Sequence, residues 1–542
     1  MTPASAIRAL ALGVLLPMAA CAEGNAPPPA DTGARAAEHV GFFDTVDNPA
    51  DEPGSAREQQ AMQYAVRHFV SLGLETKVQH VPLARMMLES ASLQVTGQGG
   101  TALSAGLASD SVIMWTGRQE PQVSFDAELV FAGYGIVSPE YHRDDFKDID
   151  VRGKIVIVLE GAPHTGTRND LGLLGETYYG TRLYKFDEAA RQGAAGILIV
   201  HSLMEEPWRD LQQQAARTIL DLERSADVDA EPKAAIEGWL SREAAEPLLR
   251  AAGYSLEDVM RQAREFAFRP IALDGLRATV RLTSRIERVM SYDVIAMLPG
   301  RYPEHVLLAG RWNRIDPDVW SGRSFSDAGE AGTVSDETPT TAHLDDDGSG
   351  AATVMEAARR LVASRERPLR SIVFMVATAL KPGLIGLEYY RDHPMLPQHK
   401  LDAVILLDRG DVSGTSQRIG KIGTASDVAL SQITRQAAIE QGRLVELDEN
   451  PHRRFYYKSG QTKLARDGVR LIVLTAKPEE DGSSRRLRHV AHRDQVVGLG
   501  ASRPARTHAQ PGQDADLLAQ LVRRVALATN WPPRHEPAGG SR

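Results

Sequence analysis

Three consecutive aspartates, Asp345, Asp346 and Asp347, precede a segment of helical periodicity in TAHLDDDGSGAATVMEAARRL, residues 341–361. Carboxylates are favoured near a helix N-terminus, and they are also common metal ligands. The run is therefore compatible with a metal site or with a solvated loop that leads into a helix. Asp345 with His343 leaves open a smaller site for a single metal ion.

Strand-like segments surround this run and predict how it is positioned. Segments 350–363 and 426–442 have helical character, and they alternate with five short apolar segments of strand length. This alternation predicts an α/β fold, with a mostly parallel mixed sheet flanked by helices on both faces. The apolar segments are YDVIAMLPG, HVLLAG, SIVFMVAT, AVILLD and VRLIVLT.

Residues 55–74 form a predicted helix with signals at both ends. Ser55 and Glu58 have the spacing of a capping box, and Gly73 is placed as a C-terminal stop. From about residue 125, short apolar strands alternate with Gly and Pro turns, and KFDEAARQGAAGILIVH (185–201) adds a helix and a buried strand.

The motifs GYG, DVRGKIVIV and AARQGAAGILIVH resemble those of the protease-associated domain, a β-rich module inserted into several peptidase families. The resemblance implies an insert at 105–285. An unrelated small α/β domain is the alternative.

The chain has 542 residues, too many for one hydrophobic core, so two or more domains are expected. Its composition, 42% apolar and 25% charged, is that of a soluble globular protein. The formal charge of -9 argues against nucleic acid as the main partner.

The amino terminus predicts export. MTPASAIRALALGVLLPMAAC has one arginine, an apolar stretch and small residues before Cys21, which is the one cysteine of the chain. Its end resembles the bacterial lipobox, which implies acylation of Cys21 and a lipid-anchored protein of the bacterial cell envelope, on the periplasmic side or outer membrane. A chance cysteine within a discarded signal is the alternative. The predicted order is signal peptide 1–20, flexible tether 21–50, peptidase-like parts 51–104 and 286–530 around the insert, and disordered tail 531–542.

Taken in order, the strand and helix motifs resemble the co-catalytic zinc aminopeptidases, a family that includes leucyl aminopeptidases, glutamate carboxypeptidases and transferrin receptors. The resemblance covers residues 55–103 and 286–528, and a further motif, FYYKSGQTKLARDGV, lies within it. It implies two zinc ions held by histidines and carboxylates, with a glutamate as general base on a bridging water.

Several family positions hold residues that cannot serve this chemistry. Arg311 stands at the first histidine ligand, and Asn313 at its supporting aspartate. The paired glutamates, which are the base and a ligand, are replaced by Leu380 and Lys381. The family's SDH motif reads SGQ, which places Gly460 and Gln461 at its last two positions.

Three family positions still hold a residue of a type that can bind zinc. Asp346 matches the bridging aspartate, Asp408 matches a later ligand, and His489 or His492 matches the last histidine, although the spacing to Asp494 is irregular for both.

An arginine stays protonated and cannot bind a metal ion, and leucine has no lone pair to offer. The resemblance therefore implies that the zinc pair and the base are lost, so no cofactor is expected. Two aspartates 4 Å apart without metal would repel each other by about 4 kcal/mol near a protein surface. We expect the cationic groups of Arg311, Lys381 and Lys458 to replace the metal ions.

The expected function is that of a non-catalytic homologue. Its partner would be a peptide or a protein, bound in the degenerate cleft or through the insert, while the lipid contacts the membrane. The alternative is an active metallopeptidase that releases N-terminal residues with zinc at a remodelled site of Asp346, Asp408 and His489. The loop 316–340 and the basic run 483–493 are compatible with contacts to ligands, or with solvated surface.

Overall fold

A computed structural model describes much of the chain. The described residues are 32–43, 53–97, 110–163, 178–201, 208–215, 218–224, 232–312, 319–320, 348–378, 385–397, 400–409, 418–422, 428–447, 464, 467–477 and 512–531.

Ten α-helices lie in these ranges. They are α1 (Thr32–Phe43), α2 (Ala56–Ser71), α3 (Arg182–Arg191), α4 (Trp208–Ala215), α5 (Arg242–Ala251), α6 (Leu256–Arg264), α7 (Ser349–Ala363), α8 (Ile385–Asp392), α9 (Val428–Glu440) and α10 (Gln513–Leu527).

Seventeen strands lie in the same described ranges. They are β1 (Glu75–Thr96), β2 (Val112–Thr116), β3 (Gln122–Phe131), β4 (Val137–Ser138), β5 (Arg143–Asp144), β6 (Ile155–Leu159), β7 (Gly196–Val200), β8 (Thr218–Leu222), β9 (Ile236–Leu240), β10 (Ile271–Leu298), β11 (Tyr302–Arg311), β12 (Val319–Trp320), β13 (Arg370–Ala377), β14 (Leu401–Arg409), β15 (Arg418–Ile422), β16 (Leu444–Leu447) and β17 (Arg470–Lys477).

Fifteen of these strands form one mixed sheet, in the order β16-β15-β17-β14-β11-β13-β10-β3-β6-β7-β9-β2 with β1, β8 and β12 off this path. Strands β13, β11, β14 and β17 run parallel to one another, and β10 joins them antiparallel at β13. One face is covered by α2, α7, α9 and α10, and α8 packs on the other. The predicted α/β architecture is confirmed.

Two long paired strands, β1 and β10, form a ribbon. β10 lies between β13 on one side of the sheet and β3 on the other, and it so connects the two halves of the sheet. β1 has 22 residues and β10 has 28, and they pair antiparallel from Glu75 opposite Met297 to Thr96 opposite Arg277. The predicted boundary at 285/286 falls inside β10, because this strand continues through both halves. The domain limits, including those of the protease-associated insert, stay predictions.

Helix α2 begins and ends where the sequence predicts. The Ser55 hydroxyl accepts the amide proton of Glu58 at 3.1 Å. The Glu58 carboxyl in turn accepts a hydrogen bond from the Gly54 amide at 2.7 Å. Gly73 has a φ of 76°, the left-handed conformation of a helix stop. Local chemistry therefore sets both ends of this helix.

Helix α1 corrects the predicted tether. The sequence predicts a flexible tether over residues 21–50, but Thr32–Phe43 within this range is helical. Ala36, His39 and Phe43 share one face and are buried. Phe42 stacks on Tyr64 of α2 with ring centroids 3.9 Å apart. The tether assignment is wrong for this stretch because its apolar residues pack against α2 and α7.

Among the described residues, we find no helix that is both long enough and apolar enough to cross a bilayer.

Candidate functional site

The carboxyl ends of four parallel strands meet at one edge of the sheet, where a site in such folds is expected. Arg311 is the last residue of β11 and lies opposite Ala377 at the end of β13. On the other side of β11, Gly310 lies opposite Leu407 of β14. Asp408 and Arg409 complete the backbone of β14 at the same edge.

Helix α7 begins directly on this edge. Its N-cap is Gly348, with a φ of 83°, and no side chain caps it. A Cβ on Gly350 would lie 3.0 Å from the carbonyl oxygen of Leu407 and 3.2 Å from the amide nitrogen of Arg311. Gly310 in turn has no space for a side chain against the backbone of Gly350. The two glycines let the first turn of α7 contact β11 and β14.

Phe43 closes one side of the α7 N-terminus. Its ring and Cβ occupy the space that a side chain at Gly348 would need. Phe43 is buried in the same hydrophobic cluster as Trp312, the residue that follows Arg311. Helix α1 therefore contributes a wall next to the candidate site.

Arg311 is the predicted site residue that the structure describes fully, and it lies where the resemblance requires the first ligand. Its exposed fraction is only 3%. A buried guanidinium needs nearby acceptors or anions to offset the cost of removing it from water. Since it has donors but no lone pair, it cannot bind a metal ion.

Most other predicted site residues lie outside the described residues. The side chain of Asp408 also lies outside them, although its backbone is part of β14. The structure thus brings the backbone positions of Arg311 and Asp408 to adjacent strands and does not test the remaining assignments. Those outside are Cys21, Asn313, Asp346, Leu380, Lys381, Lys458, Gly460, Gln461, His489 and His492.

A buried polar network at the end of β13 escaped the sequence analysis. Thr378 donates its amide proton to Asp293 of β10 at 2.9 Å and its hydroxyl proton to Glu58 at 3.2 Å. Ser291 donates to the same Glu58 oxygen, and its hydroxyl also bonds to that of Thr378. The sequence identifies Glu58 only as a helix cap. Asp293 is signalled only as a charge inside an apolar run.

Burial dominates the acid–base behaviour of this network. It raises the pKa of Glu58 to about 7, although hydrogen bonds from Ser291, Gly54 and Thr378 act against it. It raises the pKa of Asp293 to about 8, and the nearby charge of Glu58 adds to the effect. Both groups are fully or almost fully buried, with exposed fractions of 1% and 0%.

Of the ligand positions that the resemblance implies, the structure describes the side chain at the end of β11, and this residue cannot bind zinc. The first-ligand position holds a guanidinium, so one histidine nitrogen is missing. In the part of the chain that the structure describes, no group of three or more His, Cys, Asp or Glu side chains is arranged to hold a metal ion.

The mixed sheet has helices on both faces, and its parallel strands end together at the candidate site. Residues 293–495 match the family model described as Peptidase family M28. This stretch is thus similar to the M28 peptidases, which agrees with the predicted resemblance to the co-catalytic zinc aminopeptidases.

Solved structures of an aminopeptidase and of other peptidases are similar to this chain along most of its length. An aminopeptidase from Aneurinibacillus sp. strain AM-1 has 15% identity and a TM-score of 0.46, over 93% of this chain and 96% of that one. The zinc aminopeptidase BSAP from Bacillus subtilis has 13% identity and a TM-score of 0.39, over 94% and 98%.

A peptidase M28 precursor from Shewanella amazonensis SB2B has 16% identity and a TM-score of 0.40, over 94% of this chain and 98% of that one. Among curated proteins, no sequence matches the chain.

Proposed function

We propose that this protein is a lipid-anchored, non-catalytic homologue of the zinc aminopeptidases that binds a peptide or a protein in the cell envelope. Arg311 carries this proposal. It is buried at the end of β11, where the family places a histidine ligand, and a guanidinium at that place repels a divalent cation.

Arg311 is buried at the end of a core strand, so it differs from the family's histidine inside the candidate site and not on the surface. Its backbone nitrogen lies next to the first turn of α7, whose N-terminal end carries partial positive charge. Two positive centres at one strand edge favour an anionic neighbour over a metal ion. The carboxylates of Asp346 and Asp408 are the proposed neighbours, with Lys381 and Lys458 as further cations.

A cleft that no longer hydrolyses peptides can still bind a peptide or a protein. The cleft, or the inserted region, would hold a peptide or a partner protein. The acyl chain at Cys21 would keep the protein at the membrane of a bacterial cell envelope. This part of the proposal rests on the sequence of the amino terminus and on analogy within the family.

Metal content and turnover test the loss of catalysis. We expect purified protein to hold less than one tenth of a zinc ion per chain and not to hydrolyse leucine p-nitroanilide, with or without added Zn²⁺ or Co²⁺. The triple variant Arg311→His, Leu380→Glu, Lys381→Glu should gain measurable zinc affinity. The matched control is Arg301→His, on the exposed turn before β11, which should gain none.

The competing function is an active metallopeptidase with zinc at a remodelled site of Asp346, Asp408 and His489. Two zinc ions that copurify with the wild-type chain, or aminopeptidase turnover that a chelator abolishes, would establish it and overturn the proposal.

Equilibrium dialysis against a pool of pentapeptides with free amino termini measures whether the protein binds peptides, as the proposed function requires.

A further inference from the structure

Two carboxyl groups hold Thr378, the residue that follows β13. Glu58 reaches it from α2 and accepts its hydroxyl proton at 3.2 Å. Asp293 reaches it from β10 and accepts its amide proton at 2.9 Å. The end of β13 is therefore attached to two other elements through acidic side chains.

Helix α8 completes this arrangement from a third direction. Its residue Gly386 lies so close to the Asp293 carboxyl that a Cβ there would be 2.9 Å from Cγ and from Oδ2. The Gly386 amide also donates to the Thr378 carbonyl at 3.4 Å. Thr378 and Gly386 are thus fixed around Asp293, and the chain between them carries Leu380 and Lys381.

The hydrogen bonds of the two carboxyl groups differ. Glu58 accepts three kinds of donor, from Gly54, Ser291 and Thr378. Asp293 accepts one bond on Oδ1, while its Oδ2 is buried without a hydrogen-bond partner. An ionised Asp293 would leave this oxygen without any donor, which is costly in a dry interior.

No positive charge offsets these acids among the described residues that face Asp293. Glu58 faces it from α2, and the phenol of Tyr389 lies near it on α8. β1 places the neutral Gln79 directly opposite, and the neutral Thr378 follows β13. Two negative charges there would repel each other without compensation.

We propose that Glu58 and Asp293 form a proton-dependent clamp that holds the end of β13 against α2 and α8, and that the clamp loosens as both groups become ionised. The clamp rests on the described network alone, so it is independent of the proposed loss of catalysis.

The direction of the pH effect follows from linkage. Burial raises the pKa of Glu58 from 4.5 to about 7, and that of Asp293 from 3.8 to about 8. Between these limits the opened state releases protons that the closed state keeps, so opening becomes more favourable as pH rises. Each group contributes up to tenfold per pH unit within its own window, and the effect saturates above pH 8.

Hydrogen exchange of the full chain tests the clamp. After correction for intrinsic exchange rates, the opening constant of the Thr378 and Gly386 amides should rise at least tenfold between pH 6 and pH 8. In Asp293→Asn, which cannot ionise, the rise should be less than a third of that in the wild type. The matched control is Asp274→Asn, an exposed position of the same strand, which should behave as the wild type.

A flat pH response of the wild-type amides would overturn the clamp, and so would an Asp293→Asn variant with the wild-type response. If Asp293→Asn does not fold, Glu58→Gln takes its place, and an unchanged response there would also contradict the clamp.

Discussion

The carbonyl of Gly350 lies against the Cα of Gly310, so that the first turn of α7 contacts β11 without any side chain between them. This contact sets how close the helix N-terminus comes to Arg311. Residue 310 must be glycine for it to exist, because a Cβ there would overlap the Gly350 backbone, and a Cβ on Gly350 would be close to Leu407 and Arg311.

Gly310→Ala should destabilise the protein by about 1–3 kcal/mol, because the new methyl group meets the backbone of Gly350 and the Val354 side chain, and the backbone cannot yield cheaply. Urea unfolding measures the change. The control is Gly41→Ala in α1, where no atom lies within 4 Å of the new methyl group. There we expect a gain of up to about 1 kcal/mol from helix propensity. Equal effects of the two substitutions would contradict the close contact.

Local signals in the sequence were sufficient to predict the helices and strands in which they occur. The cap at Ser55 and the stop at Gly73 depend on neighbouring residues only, and α2 begins and ends there. Apolar runs such as HVLLAG and SIVFMVAT predicted β11 and β13 because strands buried on both faces are continuously apolar.

Features that depend on distant partners were not predicted. The burial of helix α1 becomes evident only when Tyr64 of α2 and Gly348 of α7 lie beside it. Asp293 resembles an isolated charge until Thr378, 85 residues away, is seen to donate to it. Of the candidate site, the structure shows that Arg311 ends β11, and the roles assigned to the site residues stay predictions.

The buried ion pair between Arg443 and Asp514 should stabilise the contact between the end of α9 and α10. Its Nη1–Oδ1 distance is 2.6 Å, and the side chains are 2% and 1% exposed. Asp514→Ala leaves a buried guanidinium without this anion, so we expect a loss of about 3–5 kcal/mol. Thermal and urea unfolding measure it.

The double variant Arg443→Met, Asp514→Leu removes both charges and should recover most of that loss, because neither charge is then buried alone. If the double variant is as unstable as Asp514→Ala, loss of packing rather than an uncompensated charge is the cause.

Cys21→Ala should move the protein from the membrane fraction to the soluble fraction of the cell envelope, because the acyl chain is its proposed anchor. Fractionation followed by mass spectrometry of the amino-terminal peptide measures both location and lipid. Ser5→Ala, near the start of the predicted signal, is the control and should leave the protein with the membrane. An unmodified Cys21, or membrane retention of the alanine variant, would contradict lipid anchoring.

Helix α1 follows that anchor along the chain, and we expect acid to loosen it. Burial and the nearby His68 lower the pKa of His39 from 6.5 to about 4. His39 Nδ1 lies 2.7 Å from the Tyr64 hydroxyl. Glu356 and Arg359 of α7 and Arg35 of α1 face His39, with Glu356 opposing the shift.

Below pH 6.5 the released helix therefore binds protons that the docked helix does not, and docking weakens until about pH 4, by about 3 kcal/mol in all. Amide exchange in residues 32–43 should increase over this window in the wild type and should be nearly independent of pH in His39→Gln. His80→Gln, at an exposed histidine of β1, should follow the wild type. A fall in pH below 6.5 therefore loosens α1 beside Gly348, whereas a rise in pH towards 8 loosens the Glu58–Asp293 clamp beside Thr378. The two walls of this edge should respond to pH in opposite directions.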